Sequence, residues 1–168
     1  MSPVADPVRL VYKRLGHQRM NQAEFETLLM DASKCIPDDI SWMEDEDHSP
    51  TVEFRAEVIS DAGYPVFIKG SYNALAATLS YTLIHRGIGR IYALDMGKEH
   101  RNPDCQPVGE KHKHRWRIPV RDKEAYVPED ITMPATDPVG VWKQFCQEAK
   151  IRHDGVLFNP PPVQSETV

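Results

Sequence analysis

Three of the seven histidines, His100, His112 and His114, fall between Asp95 and Arg117. Imidazole titrates near neutrality and its neutral form ligates metals, so clustered histidines suit either acid–base work or metal binding. Three histidines with an open fourth position are an established arrangement for catalytic zinc. Read as a strand, His112 to Ile118 puts His112, His114, Trp116 and Ile118 on one face and Lys111, Lys113, Arg115 and Arg117 on the other. Same-face neighbours stand about 6.5–7 Å apart, which lets two imidazoles converge on one ion or flank one reacting group. Trp116 and Ile118 are expected to turn this face, histidines included, into the core. The four cations are then expected to form an outward stripe, able to contact the phosphates of RNA or a nucleotide or to blunt an exposed sheet edge.

The connection before this strand carries the rest of the candidate chemistry. Asp95 to Asp104 leaves a strand end and enters a loop, where binding and catalytic residues concentrate. Asn102-Pro103-Asp104 is a turn sequence, and Pro107 to Gly109 offers a second reversal. Together they are expected to bring His100 back beside His112 and His114, with Asp104 close by. The candidate catalytic residues are therefore His100, His112, His114 and Asp104. The candidate binding residues are Arg101, Asn102, Lys113, Arg115 and Arg117. The three histidines are also the candidate ligands of a divalent metal such as zinc, with Asp104 or Asp95 orienting a ligand or a water. Hydrogen-bonded histidines that hold the loop to the sheet, without chemistry, are a further possibility.

The elements that must position these residues are legible in part. Asn21 caps a helix running to Ser33, with Glu24 in a capping-box relation and Phe25, Leu28, Leu29 and Ala32 on its apolar face. Val52 to Val58 alternates as a half-buried strand. Asp61-Ala62-Gly63 turns into a second strand from Pro65 to Lys69, Leu79 to Leu83 makes a third, Arg90 to Asp95 a fourth and His112 to Val120 a fifth. Asp137 caps a second helix with Pro138 at its first position, and Trp142, Phe145, Cys146 and Ala149 form its buried face. Pro7 to Arg14 reads as a short helix or an arm. The expected fold class is α+β, a mainly antiparallel sheet of about five strands flanked by an N-terminal and a C-terminal helix. Residues 1–157 are expected to form a single domain, with 158–168 as a Pro-rich tail expected to be mobile.

Composition narrows the function. The chain has 168 residues and a net charge of −5, which argues against a protein that coats nucleic acid. Cys35, Cys105 and Cys146 are odd in number and widely spaced, so neither a disulfide framework nor an all-thiolate zinc site is expected. No signal peptide is visible and no apolar run approaches the roughly 20 residues of a membrane span, so a cytoplasmic protein is expected. There is no P-loop, dinucleotide fingerprint, His-Glu-x-x-His, nucleophile elbow or paired His-x-Ser/Thr motif. Glu44-Asp45-Glu46-Asp47 reads as a solvated acidic loop.

The pattern Leu94-Asp95-x-Gly97-x-x-His100-Arg101-Asn102-Pro103-Asp104, followed by His112-x-His114, resembles a family of small uncharacterised bacterial and phage proteins. The likeness spans roughly Asn21 to Ile151 and includes the C-terminal helix around Trp142 to Cys146. The chain departs from that pattern at Cys105, where the family has glycine, and at Arg115-Trp116-Arg117, where it has a Tyr-rich strand. The resemblance implies the fold, the histidine site and a bacterial or phage setting, and carries no activity. The leading expectation is thus a bacterial or phage accessory protein that acts on or binds RNA or a nucleotide through the histidine cluster. The alternative is a non-enzymatic protein-binding inhibitor or adaptor, for example phage-encoded and directed at a host system, in which the histidine motif is a structural clasp.

Overall fold

Helix α1, Gln22–Met30, starts where Asn21 accepts from the Glu24 amide at 2.8 Å and Glu24 returns a bond to the Asn21 amide at 3.0 Å. This reciprocal box satisfies two donors that helix geometry leaves without partners. At the other end the chain stops short of the expected Ser33, because Lys34 folds back over the helix terminus. Its ammonium donates to the carbonyls of Leu28, Leu29 and Asp31 at 2.6, 2.9 and 2.6 Å. Three N–H groups meet three carbonyls, which offsets the cost of burying a lysine that burial itself pushes down to about 8. Replacing Lys34 by methionine keeps the stem but strands those carbonyls; a loss of about 1.5–3 kcal/mol is expected, read as a lower urea midpoint.

The computed structural model describes residues 20–117 and 123–163. The possible arm at Pro7–Arg14, the end of the fifth expected strand from Ile118 to Val120, and the last residues of the tail lie outside the described residues. Within them the order is α1, β1 (Cys35–Ile36), β2 (Met43–Glu44), β3 (Val52–Val58), β4 (Val66–Asn73), β5 (Thr78–His85), β6 (Gly89–Met96), β7 (His112–Arg115), β8 (Ala125–Tyr126), α2 (Pro138–Ala149) and β9 (Arg152–His153). The fold is α+β. Strands β2 to β8 form one antiparallel sheet of seven strands in sequence order, and β1 pairs in parallel with β9. Seven replaces the expected five because β2 and β8 are two residues each, too short to show a period in sequence.

One face of the sheet is covered. Tyr81 of β5 meets Trp142 and Phe145 of α2 at centroid distances of 5.1 and 5.7 Å, and Tyr92 of β6 meets Phe145 at 5.2 Å. Phe25, Leu28 and Leu29 of α1 join the same core. As expected, Phe25, Leu28, Trp142 and Phe145 are all buried. Asp137 caps α2, and Lys150 closes it in the left-handed region at φ 53°. Beyond β9, Phe158 at the head of the Pro-rich tail is tied to the body: its amide donates to Ile40 O, and its carbonyl accepts from the Trp42 indole.

Candidate metal centre

Strands β6 and β7 are antiparallel, with Asp95 opposite His112, Leu94 opposite Lys113, Ala93 opposite His114 and Tyr92 opposite Arg115. Residues directly opposite share a face. Tyr92 packs on α2, so Leu94, Lys113 and Arg115 lie on the helix-covered side. Asp95, His112 and His114 therefore stand on the other face, beside Ser80 of β5, which is opposite Asp95. This corrects the expected orientation: the histidines and the cations of β7 do alternate, but it is Lys113 and Arg115 that point toward the helices. Alternation fixes only that the two sets are opposed, and the register against Tyr92 and Leu94 decides which set turns inward. Trp116 still reaches the core, because β7 ends at Arg115 and the Trp116 amide donates to Ile91 O. Ile91 sits where the β5–β6 register shifts. Ile118 lies outside the described residues.

Although on the outer face, His112 and His114 are each only 2% exposed, because the connection from β6 to β7 folds over them. Gly97 starts that connection at φ +82°, where a Cβ would come within 2.4 Å of Ala77 O; no other residue turns there without strain. Asn102 fastens the loop to β8 as a strand would, accepting from the Ala125 amide at 2.7 Å and donating to the Ala125 carbonyl at 2.9 Å. His100 is thereby set over the β7 pair.

The three imidazoles converge. Ring centroids are 5.1 Å apart for His100 and His112, 4.6 Å for His100 and His114, and 5.0 Å for His112 and His114. One ligand nitrogen from each lies within 4.8 Å of the others, a grouping that could hold a metal ion. Backbone carbonyls set two of the ring tautomers. A carbonyl only accepts, so the ring nitrogen that meets one carries the proton. His100 Nε2 donates to Lys123 O at 3.0 Å and His112 Nδ1 donates to Gly109 O at 3.1 Å. The lone pairs of the neutral rings are left on His100 Nδ1 and His112 Nε2. Such carbonyl partners are the usual means of aiming metal-ligating histidines.

The acid at the cluster is Asp95. Its Oδ2 is 3.5 Å from His112 Nε2 and 3.4 Å from His114 Nε2, with Arg90 at 3.8 Å. Ser80 donates to its other oxygen at 2.6 Å. Burial pushes this carboxyl up, but its contacts with His112, His114 and Ser80 outweigh it and hold the group well below the usual carboxylate range. His100 is pushed down, first by burial and then by His114 and His112, so it is neutral at pH 7 with its free nitrogen toward the other rings.

The remaining sequence candidates fall elsewhere. Asp104 is exposed and accepts from the Gln106 amide at 3.0 Å, so it shapes the turn, and Asp95 holds the place expected for it. Arg101 donates to Cys105 O, and Asn102 fastens the loop. Arg117 is exposed and paired with Glu124 at 2.8 Å, while the Arg115 guanidinium lies 5.7 Å from the Phe25 ring. Lys111 donates to Ile131 O at 2.7 Å. Lys113 is fully buried beneath α2, bonded to Asp130 at 2.5 Å and to Glu148. The expected outward stripe of four cations is therefore not present as such. Ser80 and Arg90 were missed by sequence reasoning, since only strand pairing brings them to the histidines.

An α+β domain with a three-histidine cluster, two of its rings buried, capped by its own loop on the outer face of an antiparallel sheet, is the class that fold and site define. The chain belongs to a family of unknown function, DUF6978, whose model matches residues 20–151. No curated protein matches the chain, and no solved structure does. Among the described residues no helix is long and apolar enough to cross a membrane.

Proposed function

We propose that His100, His112 and His114, with Asp95 as fourth partner, hold one zinc-type divalent ion that clasps the 97–111 loop to the sheet, in a bacterial or phage accessory protein that works by binding a partner. The observation that carries this reading is the 3.1 Å contact of His112 Nδ1 with Gly109 O. With Nδ1 donating to Gly109 O, a neutral His112 aims the lone pair of Nε2 at the Asp95 carboxylate 3.5 Å away. Two lone pairs facing each other repel. Either His112 is an imidazolium, buried beside two other imidazoles, or a cation lies between. The spacing favours the cation. Ligand atoms around a tetrahedral ion at about 2.0–2.1 Å stand about 3.3–3.4 Å apart, and the two Asp95–histidine separations are 3.4 and 3.5 Å. Direct charge-assisted bonds are shorter, about 2.7–2.9 Å. A nitrogen-rich donor set with one carboxylate suits zinc better than magnesium or calcium. Four protein ligands and near-complete burial of two of them are the mark of structural zinc.

The test is metal analysis of protein purified without chelator, alone and with His112→Ala and Asp95→Asn. One equivalent of zinc in the parent, lost in His112→Ala and reduced in Asp95→Asn, is the expected result. A metal-free parent that also fails to take up added zinc rejects the reading.

A second reading is favoured by Arg90, which stands 3.8 Å from Asp95, and by the partial exposure of His100. Were Asp95 to orient a water instead of ligating, the fourth position would be open to a phosphate-bearing ligand such as RNA or a nucleotide, with Arg90 and Arg101 as its cations. Turnover of an RNA oligonucleotide by zinc-loaded protein, abolished in His100→Ala, would establish this reading over the clasp.

A further inference from the structure

Strand β3 lies far from the histidine cluster, near the opposite border of the sheet. Ile59 exchanges both backbone hydrogen bonds with Cys35, at 2.8 and 2.9 Å, and Thr51 O accepts from the Asp45 amide at 2.9 Å. Both residues thus direct their backbone groups away from β4. In an antiparallel ladder alternate residues point to the same side, and 51 and 59 are in phase. Glu53, Arg55 and Glu57 therefore point the same way. Glu53 is paired with Met43 of β2. Among the described residues no strand lies opposite Arg55 and Glu57 on that side.

The segment that could have covered them is drawn off. Residues 35–36 pair with β9, Ile40 donates to Val156 O at 2.8 Å, and Phe158 donates to Ile40 O at 3.0 Å. What is left is a groove of about 420 Å³ walled by Ile36 to Ser41 on one side and Phe54 to Glu57 on the other. Met43 and Ile59, 70% and 56% exposed, stand at its two ends. The surroundings are acidic. Asp38 and Asp39 are exposed on the wall, and Glu44-Asp45-Glu46-Asp47 turns the adjoining hairpin from β2 into β3. Glu57 is itself neutralised by Arg55 and Arg86.

We infer that this gap in β3, closed at one end by the Met43–Glu53 pair and at the other by the Cys35–Ile59 bridge, receives one short, lysine- or arginine-bearing stretch of a partner protein that bonds to the backbone of Arg55 and Glu57. The four outward backbone groups of these two residues supply the hydrogen bonds, as in other strand-addition complexes. Met43 and Ile59 give apolar contacts, and the acidic border selects the charge. Nucleic acid is disfavoured by the same border. A second copy is disfavoured because edge-to-edge pairing would set the two acidic borders against each other. The inference names a surface for the partner-binding reading above and does not depend on the histidine centre.

The probe is a capped peptide of alternating lysine and valine, added to the full-length, isotopically labelled protein. Saturable shifts of the Arg55 and Glu57 amides are expected, with their hydrogen exchange slowed about tenfold or more in the complex. The same peptide N-methylated at its central residues should bind at least about tenfold more weakly, and so should a glutamate-for-lysine version. Treating the parent protein with a chelator should leave peptide binding unchanged, so failure of the metal reading and failure of this one are separable. Three results overturn the inference: no response of either amide at millimolar peptide, equal binding of the N-methylated peptide, or protection of these amides by self-association without peptide.

Discussion

Lys113→Met is expected to lower the unfolding free energy by about 3 kcal/mol, near the lower end of the 3–5 kcal/mol typical of breaking a buried ion pair from one side. Lys113 is wholly buried, and its ammonium is shared between Asp130 of the segment before α2 and Glu148 within α2. Burial and Glu148 raise the Asp130 carboxyl, while Lys113 holds Glu148 down against burial. Removing the cation leaves two carboxylates facing each other next to the Tyr92 ring. The lower end applies because both are part-exposed and keep some hydration. For a domain of this size the melting temperature should fall by about 6–12 °C. The triple variant Lys113→Met, Asp130→Asn, Glu148→Gln should recover much of that loss, since no unpaired charge is left. A Lys113→Met protein that melts within about 1 °C of the parent would show that the network contributes nothing.

Zinc is expected to have the other large effect. An ion that binds the folded chain alone stabilises it by about 4 kcal/mol at a thousandfold excess over its dissociation constant. Stripping the ion with a chelator should therefore lower the melting temperature by about 8–16 °C, and restoring it should reverse the change. His114→Ala should make the melting temperature indifferent to both treatments. The same substitution should speed exchange at the Val108 amide, which donates to His100 O at 2.9 Å inside the clasped loop. Equal chelator sensitivity in the parent and in His114→Ala would mean that any metal effect arises away from the cluster. The sign with pH follows from the ligands: histidine binds metal only when neutral, so the zinc-dependent stability should fade below about pH 6.

Much of the scaffold was legible in the chain. The capping box at Asn21 and Glu24, the apolar face of α1 as far as Leu29, that of α2, the alternation of β3 and the turn at Asp61 to Gly63 are local devices that appear where their residues specify them, while Ala32, expected on the α1 face, lies past the helix end and is exposed. The convergence of His100 with His112 and His114 was also legible, because turn residues at Asn102 to Asp104 and Pro107 to Gly109 send the loop back on itself. Three things depended on tertiary structure. The first is which face of β7 turns inward: Trp116 suggested the histidine face, but the register against Tyr92 and Leu94 assigns that side to Lys113 and Arg115. The second is the acid of the cluster, where Asp104 lies nearer in sequence to the histidines of β7, but Asp95 is the residue that strand pairing sets opposite His112. The third is the fate of the cations, since Lys113 reads as a surface charge until Glu148, thirty-five residues further on, arrives from α2. The physical reason is the same in each case. Caps, turns and amphipathic periods are enforced by neighbours within a few residues, whereas register and burial are set by partners that chain folding alone brings together.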